Sequence, residues 1–336
     1  RTRTQTTYAP DSDTPLKAVY VDGRLAAATS KTGITMTYGY DALGRRIAVE
    51  DPRKGISTIN YDKNGRLDAV QDAAGNRARF EYDPESGRKI AELNAMNKAT
   101  RYDFNERGQL IRTWGDVPYP VEYQYDVFGK MKVMRTFRSG IGWRGKAWPT
   151  NTGPGDPTRW HYQPATGLLL AKEDAKGNRT SYTYGPAGAL KTRTGARLKN
   201  GKPLRTTYRY DPATSELMQI DYSDDTSDIA FAYDRLGRMV RVIDAAGVHS
   251  FSYNAKLQLE SEGLAGQQIY QIKRNYDDLG RVNGLTLNDG YEVSYGYDGL
   301  GRFEKVDWQI GDQTGDVEYS YMAQSDRLSG MASTSG

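Results

Sequence analysis

The chain has 336 residues, longer than one compact domain usually is, and a hydrophobic content of 37%, low for a globular core. It carries 25 Tyr, 36 Gly and 13 Pro, which favours many short strands and turns over disorder, a state poor in aromatics. A net charge of +4 does not by itself argue for nucleic acid, and the absence of cysteine excludes disulfides, thiolate zinc sites and cysteine nucleophiles.

No aliphatic run approaches the ~20 residues of a membrane span; Leu168 to Ala171 is among the longest. No signal peptide opens the chain, which starts at Arg1 without methionine, and we read it as a piece of a longer protein.

In chain order, one short element keeps returning. "YDALGRRI" begins at Tyr40, "YDKNGRL" at Tyr61, "YDRLGRM" at Tyr233, "YDDLGRV" at Tyr276 and "YDGLGRF" at Tyr297; "YDVFGKM" at Tyr125 differs by one conservative change. Looser copies start at Tyr20, Tyr82, Phe104, Tyr162, Tyr184, Tyr210, Tyr253 and Tyr321. Successive anchors lie 20, 21, 21, 22, 21, 37, 22, 26, 23, 20, 23, 21 and 24 residues apart. With one exception these steps fit a supersecondary unit in a stacked array.

Before each anchor, aromatics alternate with small or polar residues, as in "YTY" at Tyr182 and "VSYGY" at Val293, the period of a half-buried strand. The Asp-x-x-Gly that follows is a turn: Asp41, Asp62, Asp126, Asp234, Asp277 and Asp298 bond back to their own backbone, and Gly44, Gly65, Gly129, Gly237, Gly280 and Gly301 supply positive φ. Arg and an aliphatic residue then start a return strand, and a second turn such as "DAAGN" at Asp72 closes the repeat. No window carries a sustained helical pattern. The sequence therefore predicts an all-β chain of about 14 antiparallel hairpins, residues 1–336 forming a single array with an irregular Trp-rich insertion over 136–161.

Tyr-Asp-x-x-Gly-Arg-aliphatic at this spacing resembles the YD repeat of the Rhs family. Relatives include the C components of Tc insecticidal toxins, bacterial polymorphic toxins and, more distantly, teneurins. The resemblance runs from about Tyr20 to Leu328. It implies hairpins laid side by side in a long antiparallel sheet that curls into a spiral, barrel-like shell. In bacterial relatives that shell holds a C-terminal toxic domain. About 28 strands at ~4.8 Å each span roughly 130 Å, around one turn of a cylinder ~40 Å across.

Other features compete for a functional role. The glycines near Tyr297 run Gly-x-x-Gly-x-Gly into a strand, not the Gly-x-Gly-x-x-Gly that leads into a helix at a dinucleotide site. The repeated Arg is expected to pair across strands with Asp or to stack on a neighbouring Tyr, at ~0.2–1 kcal/mol per pair. The long step carries Trp143, Arg144, Trp148 and Trp160, either a glycan- or partner-binding loop or a loop that tucks its tryptophans over the sheet. Seven cations between Lys191 and Arg209 suit an anionic partner or a solvated turn guarding a sheet edge. "DYSDDTSD" at Asp221 has carboxylates for a weak calcium site but lacks the EF-hand Gly and Glu. His161 and His249 lie in different repeats.

The leading expectation is a non-enzymatic shell segment with no cofactor or metal, secreted, delivered or displayed at a bacterial surface. Its partners are then the rest of the same polypeptide and an enclosed cargo, with no nucleic acid. The alternative is an extracellular adhesion or carbohydrate-binding array.

Overall fold

The computed structural model describes residues 1–8, 16–266, 268–288, 290–323 and 325–335. They form 29 strands of one antiparallel sheet, with no helix among the described residues. The expected all-β hairpin array is the observed architecture.

The aromatic anchors punctuate it. Strands end on Tyr40, Tyr61, Tyr82, Phe104, Tyr125, Tyr162, Tyr184, Tyr210, Tyr233, Tyr253, Tyr276, Tyr297 and Tyr321, and Tyr20 lies one residue before the end of its strand. At each of these anchors the pairing register shifts by a bulge, for example between Gly39 and Tyr40 and between Gly296 and Tyr297. A bulge bends its strand and increases the local twist. The period therefore repeats a bend as well as a turn.

The chain folds as two compact units. One is built from residues 1–77 and 246–336. In it the turn at Asp298–Arg302 approaches the turn that precedes Thr35: a Cβ added to Gly301 would stand 3.8 Å from Ile34 Cδ1 and 3.9 Å from Thr32 Cβ. Ile34 is buried there. Nearby, Asp326 is close enough to raise Arg53, though the main cause is the Arg53 contact with Asp51. The other unit is residues 78–245, laddered from hairpin to hairpin up to the strand Met239–Asp244.

Faces alternate as period two demands. Tyr182, Arg193, Thr206 and Tyr222 make one cross-strand row, while Glu81, Ala91 and Arg101 make another of a different character. Ala91 and Ala171 are fully buried. Few large apolar side chains are buried, Ile34, Trp114 and Phe137 among them, and the rest of the core consists of residues such as Ala69, Ala99, Val133, Leu264 and Val293. With so thin a core, the backbone ladder and the contacts at the turns carry more of the stability.

Candidate functional site

Each intact repeat builds the same corner. In the Tyr297 copy the Asp298 N–H donates to the Arg302 carbonyl and the Gly301 N–H donates to the Asp298 carbonyl, both at 2.9 Å. Gly301 sits at φ +74°, a region that costs other residues steric strain. Asp298 Oδ1 accepts the N–H groups of Leu300 and Arg302 at 2.9 Å, and Oδ2 accepts Arg302 Nε at 2.7 Å. The corners at Asp41, Asp62, Asp234 and Asp277 repeat the Asp–Arg bridge at 2.6–2.8 Å, and that at Asp126 keeps the backbone bonds, accepting from Phe128 and Lys130 N–H. Gly44, Gly65, Gly129, Gly237 and Gly280 all have φ between +75° and +85°.

The bonding also fixes charge. The Arg45 backbone N–H, ahead of its guanidinium, holds the Asp41 carboxyl below its ordinary 3.8 despite opposing desolvation. At Asp298 burial pushes upward most strongly, yet the Arg302 N–H and guanidinium prevail and the carboxyl stays low.

The arginine faces forward along the chain. Its Asp partner belongs to its own turn rather than to a neighbouring strand, which corrects the cross-strand expectation, and its ring partner is the anchor of the next repeat. Arg45 lies 4.6 Å from the ring centre of Tyr61, Arg281 4.1 Å from Tyr297 and Arg302 4.0 Å from Tyr321. The anchor in turn reaches back: Tyr40 Oη donates to the Leu25 carbonyl (2.9 Å), Tyr61 to Arg46 (2.9 Å), Tyr125 to Leu110 (2.7 Å), Tyr233 to Leu217 (2.9 Å), Tyr276 to Leu259 (2.7 Å) and Tyr297 to Val282 (2.6 Å). The corners at Arg45, Arg281 and Arg302 thus clamp the anchor that follows them. Even across the long step, Lys130 covers the Tyr162 ring and its Nζ donates to the Gly167 carbonyl.

The four insertion candidates fall in different surroundings. Residues 137–155 form the irregular segment, whereas Asp156–Tyr162 is a strand paired with Met131–Thr136 and Leu169–Glu173. Trp160 therefore belongs to the sheet, opposite Lys172, whose Nζ is 5.4 Å from its ring. Trp148 packs edge-on against Trp114 (5.5 Å) and Phe137 (5.8 Å), with Arg112 at 5.0 Å over its ring. Trp114 Nε1 donates to the Gly145 carbonyl at 3.2 Å. Trp143, half-buried, meets Tyr119 edge-on at 4.9 Å, and Arg144 is exposed. The segment folds back over Trp114, Tyr119 and Phe137, the tucked arrangement. Trp114 and Tyr119 were missed in the sequence; "TWGDVPYP" between two anchors was their signal.

The remaining candidates resolve as follows. Lys199 meets Asp225 at 2.7 Å and Arg209 meets Asp221 at 2.6 Å, so acids from the following strand and turn answer part of the basic run. Asp224 accepts from Thr226 N–H and Asp228 from Tyr222 N–H, and among the described residues no group of three or more His, Cys, Asp or Glu is placed to hold a metal. His161 Nε2 is 3.6 Å from Glu173. His249 pairs with Leu264 in its strand ladder.

With this geometry in view, comparison with known proteins is informative. The teneurin YD-shell family model matches residues 4–141. The chain extends well beyond that match. It is 26% identical over 275 residues to double-stranded DNA deaminase toxin A of Burkholderia cenocepacia, covering 75% of this chain and 19% of that protein. Its fold is that of the TcdB2–TccC3 structures: the form without the hypervariable C-terminal region aligns at TM-score 0.53 and 18% identity over 94% of this chain and 20% of that one. The Photorhabdus luminescens Tc holotoxin pore aligns at TM-score 0.50 and 16% identity, over 93% and 22%. The chain thus spans about a fifth of the length of these relatives.

Proposed function

We propose that this chain is a non-enzymatic wall segment of a YD-repeat shell that encloses or scaffolds a cargo, such as a C-terminal toxin domain of a longer polypeptide. The observation that carries this reading is the forward clamp: corner after corner fixes the next anchor, so the chemistry of the repeated residues is spent on holding strands together. Asp, Arg and Tyr, the residues that would serve catalysis, are engaged with one another. The likeness to a toxin protein and to TccC3-containing structures supports a toxin-associated shell, delivered or secreted, whose partners are the remainder of its own wall and its cargo. The deaminase activity named for the relative is not carried over, because this chain matches only 19% of that protein.

Trp148 then serves to pin the irregular segment to the wall, and Trp143 and Arg144 mark the part of that segment left nearer solvent.

The test is protease challenge of the full-length polypeptide that contains this segment. The reading expects the C-terminal region to resist digestion in the intact protein and to become sensitive once the wall is opened by Asp298→Ala combined with Asp277→Ala. Rapid digestion inside an intact wall would refute enclosure.

A further inference from the structure

The long hairpin Leu190–Lys199 with Lys202–Tyr210 breaks its own ladder. Thr192, Arg193 and Thr194 pair with Thr207, Thr206 and Arg205, and pairing resumes only at Leu198 opposite Pro203. Gly195, Ala196 and Arg197 are left facing Leu204 alone, a wide bulge of the kind that re-aims side chains.

Arg197 consequently lines two cavities at once. One, of about 650 Å³, is bounded by Lys172, Asp174, Thr180, Tyr182, Arg193 and Arg197. The other, of about 460 Å³, shares Arg193 and Arg197 and adds Arg205, Thr206, Tyr222 and Asp224, so that in each cavity three cations face one acid.

The charge balance is one-sided. Arg193, Arg197 and Arg205 make no ion pair among the described residues, whereas the acids beside them are occupied. Asp174 accepts from Asn178 Nδ2 at 2.8 Å and from its N–H at 2.9 Å, and Asp224 is engaged by Thr226 N–H and lies 3.9 Å from Lys199. Three guanidinium forks without carboxylate partners, next to threonine hydroxyls, form a donor set suited to tetrahedral oxyanions. A single carboxylate would match one fork and leave the others unanswered. Two cavities sharing a pair of arginines suit a ligand with more than one anionic group.

We propose that the bulge at Gly195–Arg197 is a binding site for a phosphate-bearing ligand of at least two phosphate groups, with Arg193 and Arg197 as its shared forks and Arg205 at one end. This site is independent of the shell reading.

The probe is inorganic pyrophosphate, titrated calorimetrically into the intact chain. The expected result is saturable one-site binding that weakens with salt and falls ~10-fold or more in Arg197→Gln and in Arg193→Gln, in keeping with the loss of a charge-assisted bidentate contact. Arg197→Lys should keep part of the affinity. Circular dichroism of each variant confirms the fold; these side chains are exposed. Absence of binding at millimolar pyrophosphate, or equal binding by Arg197→Gln, overturns the site. Tighter binding of an acidic peptide than of pyrophosphate overturns the ligand class.

Discussion

The corner at Tyr297–Arg302 and the corner at Phe104–Gln109 have the same backbone and different chemistry. Asn105 takes the place of Asp298 and Gln109 that of Arg302. Asn105 Oδ1 still accepts the Gln109 N–H at 3.0 Å, and Asn105 Nδ2 donates to Gln109 Oε1 at 2.9 Å. Gly108 has φ +77°, against +74° at Gly301. The neutral pair keeps the turn but gives up the guanidinium that, in the charged corner, covers the next tyrosine. Phe104 has no hydroxyl to send backward, and Arg88 compensates by donating to the Asn105 carbonyl at 3.0 Å. Geometry is the invariant of the repeat, and charge is one of two ways to achieve it.

Acid should break the comparison most strongly, because it acts on all the charged corners together. The Asp41, Asp62, Asp234 and Asp298 carboxyls are held below their ordinary 3.8 by hydrogen bonds that outweigh opposing burial. A depressed folded-state value stabilises above the unfolded value and is lost as pH falls through the folded one. Stability should therefore be level from neutrality to about pH 5 and fall below about pH 4. Amide protection by NMR should drop there at Gly301 and Arg302 before it drops at Gly108 and Gln109, whose side chains take up no proton.

Among single substitutions, Asp298→Ala should be the most costly. It orphans two backbone N–H groups and takes the carboxylate from an Arg302 guanidinium that keeps its bond to the Ser325 carbonyl, and we expect a loss of about 2–3 kcal/mol in denaturant unfolding. Asp298→Asn, which converts the corner toward the Asn105 type, should cost less than half as much. Tyr297→Phe removes only the 2.6 Å bond to the Val282 carbonyl and should cost about 1 kcal/mol. Smallest is Arg302→Gln, which forfeits the stacking on Tyr321 while keeping a corner-type hydrogen bond, at about 0.5–1 kcal/mol.

Much of this was legible in the sequence. The aromatic before each Asp-x-x-Gly marked a strand end, and the alternation ahead of it marked a strand, because both are local consequences of side-chain period and turn stereochemistry. The bulge at each anchor was not legible, since a register shift depends on which partner residue lies opposite. Nor was the direction of the clamp: Arg45 is four residues from Asp41 and sixteen from Tyr61, and spacing alone does not say that it serves both. Trp160 could have been assigned to a strand, since "TRWHY" alternates into the Tyr162 anchor as the other repeats do. Trp148 could not have been assigned its partners, because Trp114 belongs to a hairpin on the far side of an anchor and only the folded segment brings them together.

The claim that one repeat's corner holds the next repeat's anchor is tested most directly by a double-mutant cycle between Arg281 and Tyr297, whose guanidinium and ring centre are 4.1 Å apart. Arg281→Met, Tyr297→Leu and the double variant would be unfolded in denaturant under matched conditions. The clamp predicts a favourable coupling of about 0.5–1 kcal/mol between the two positions. Strictly additive losses would contradict it.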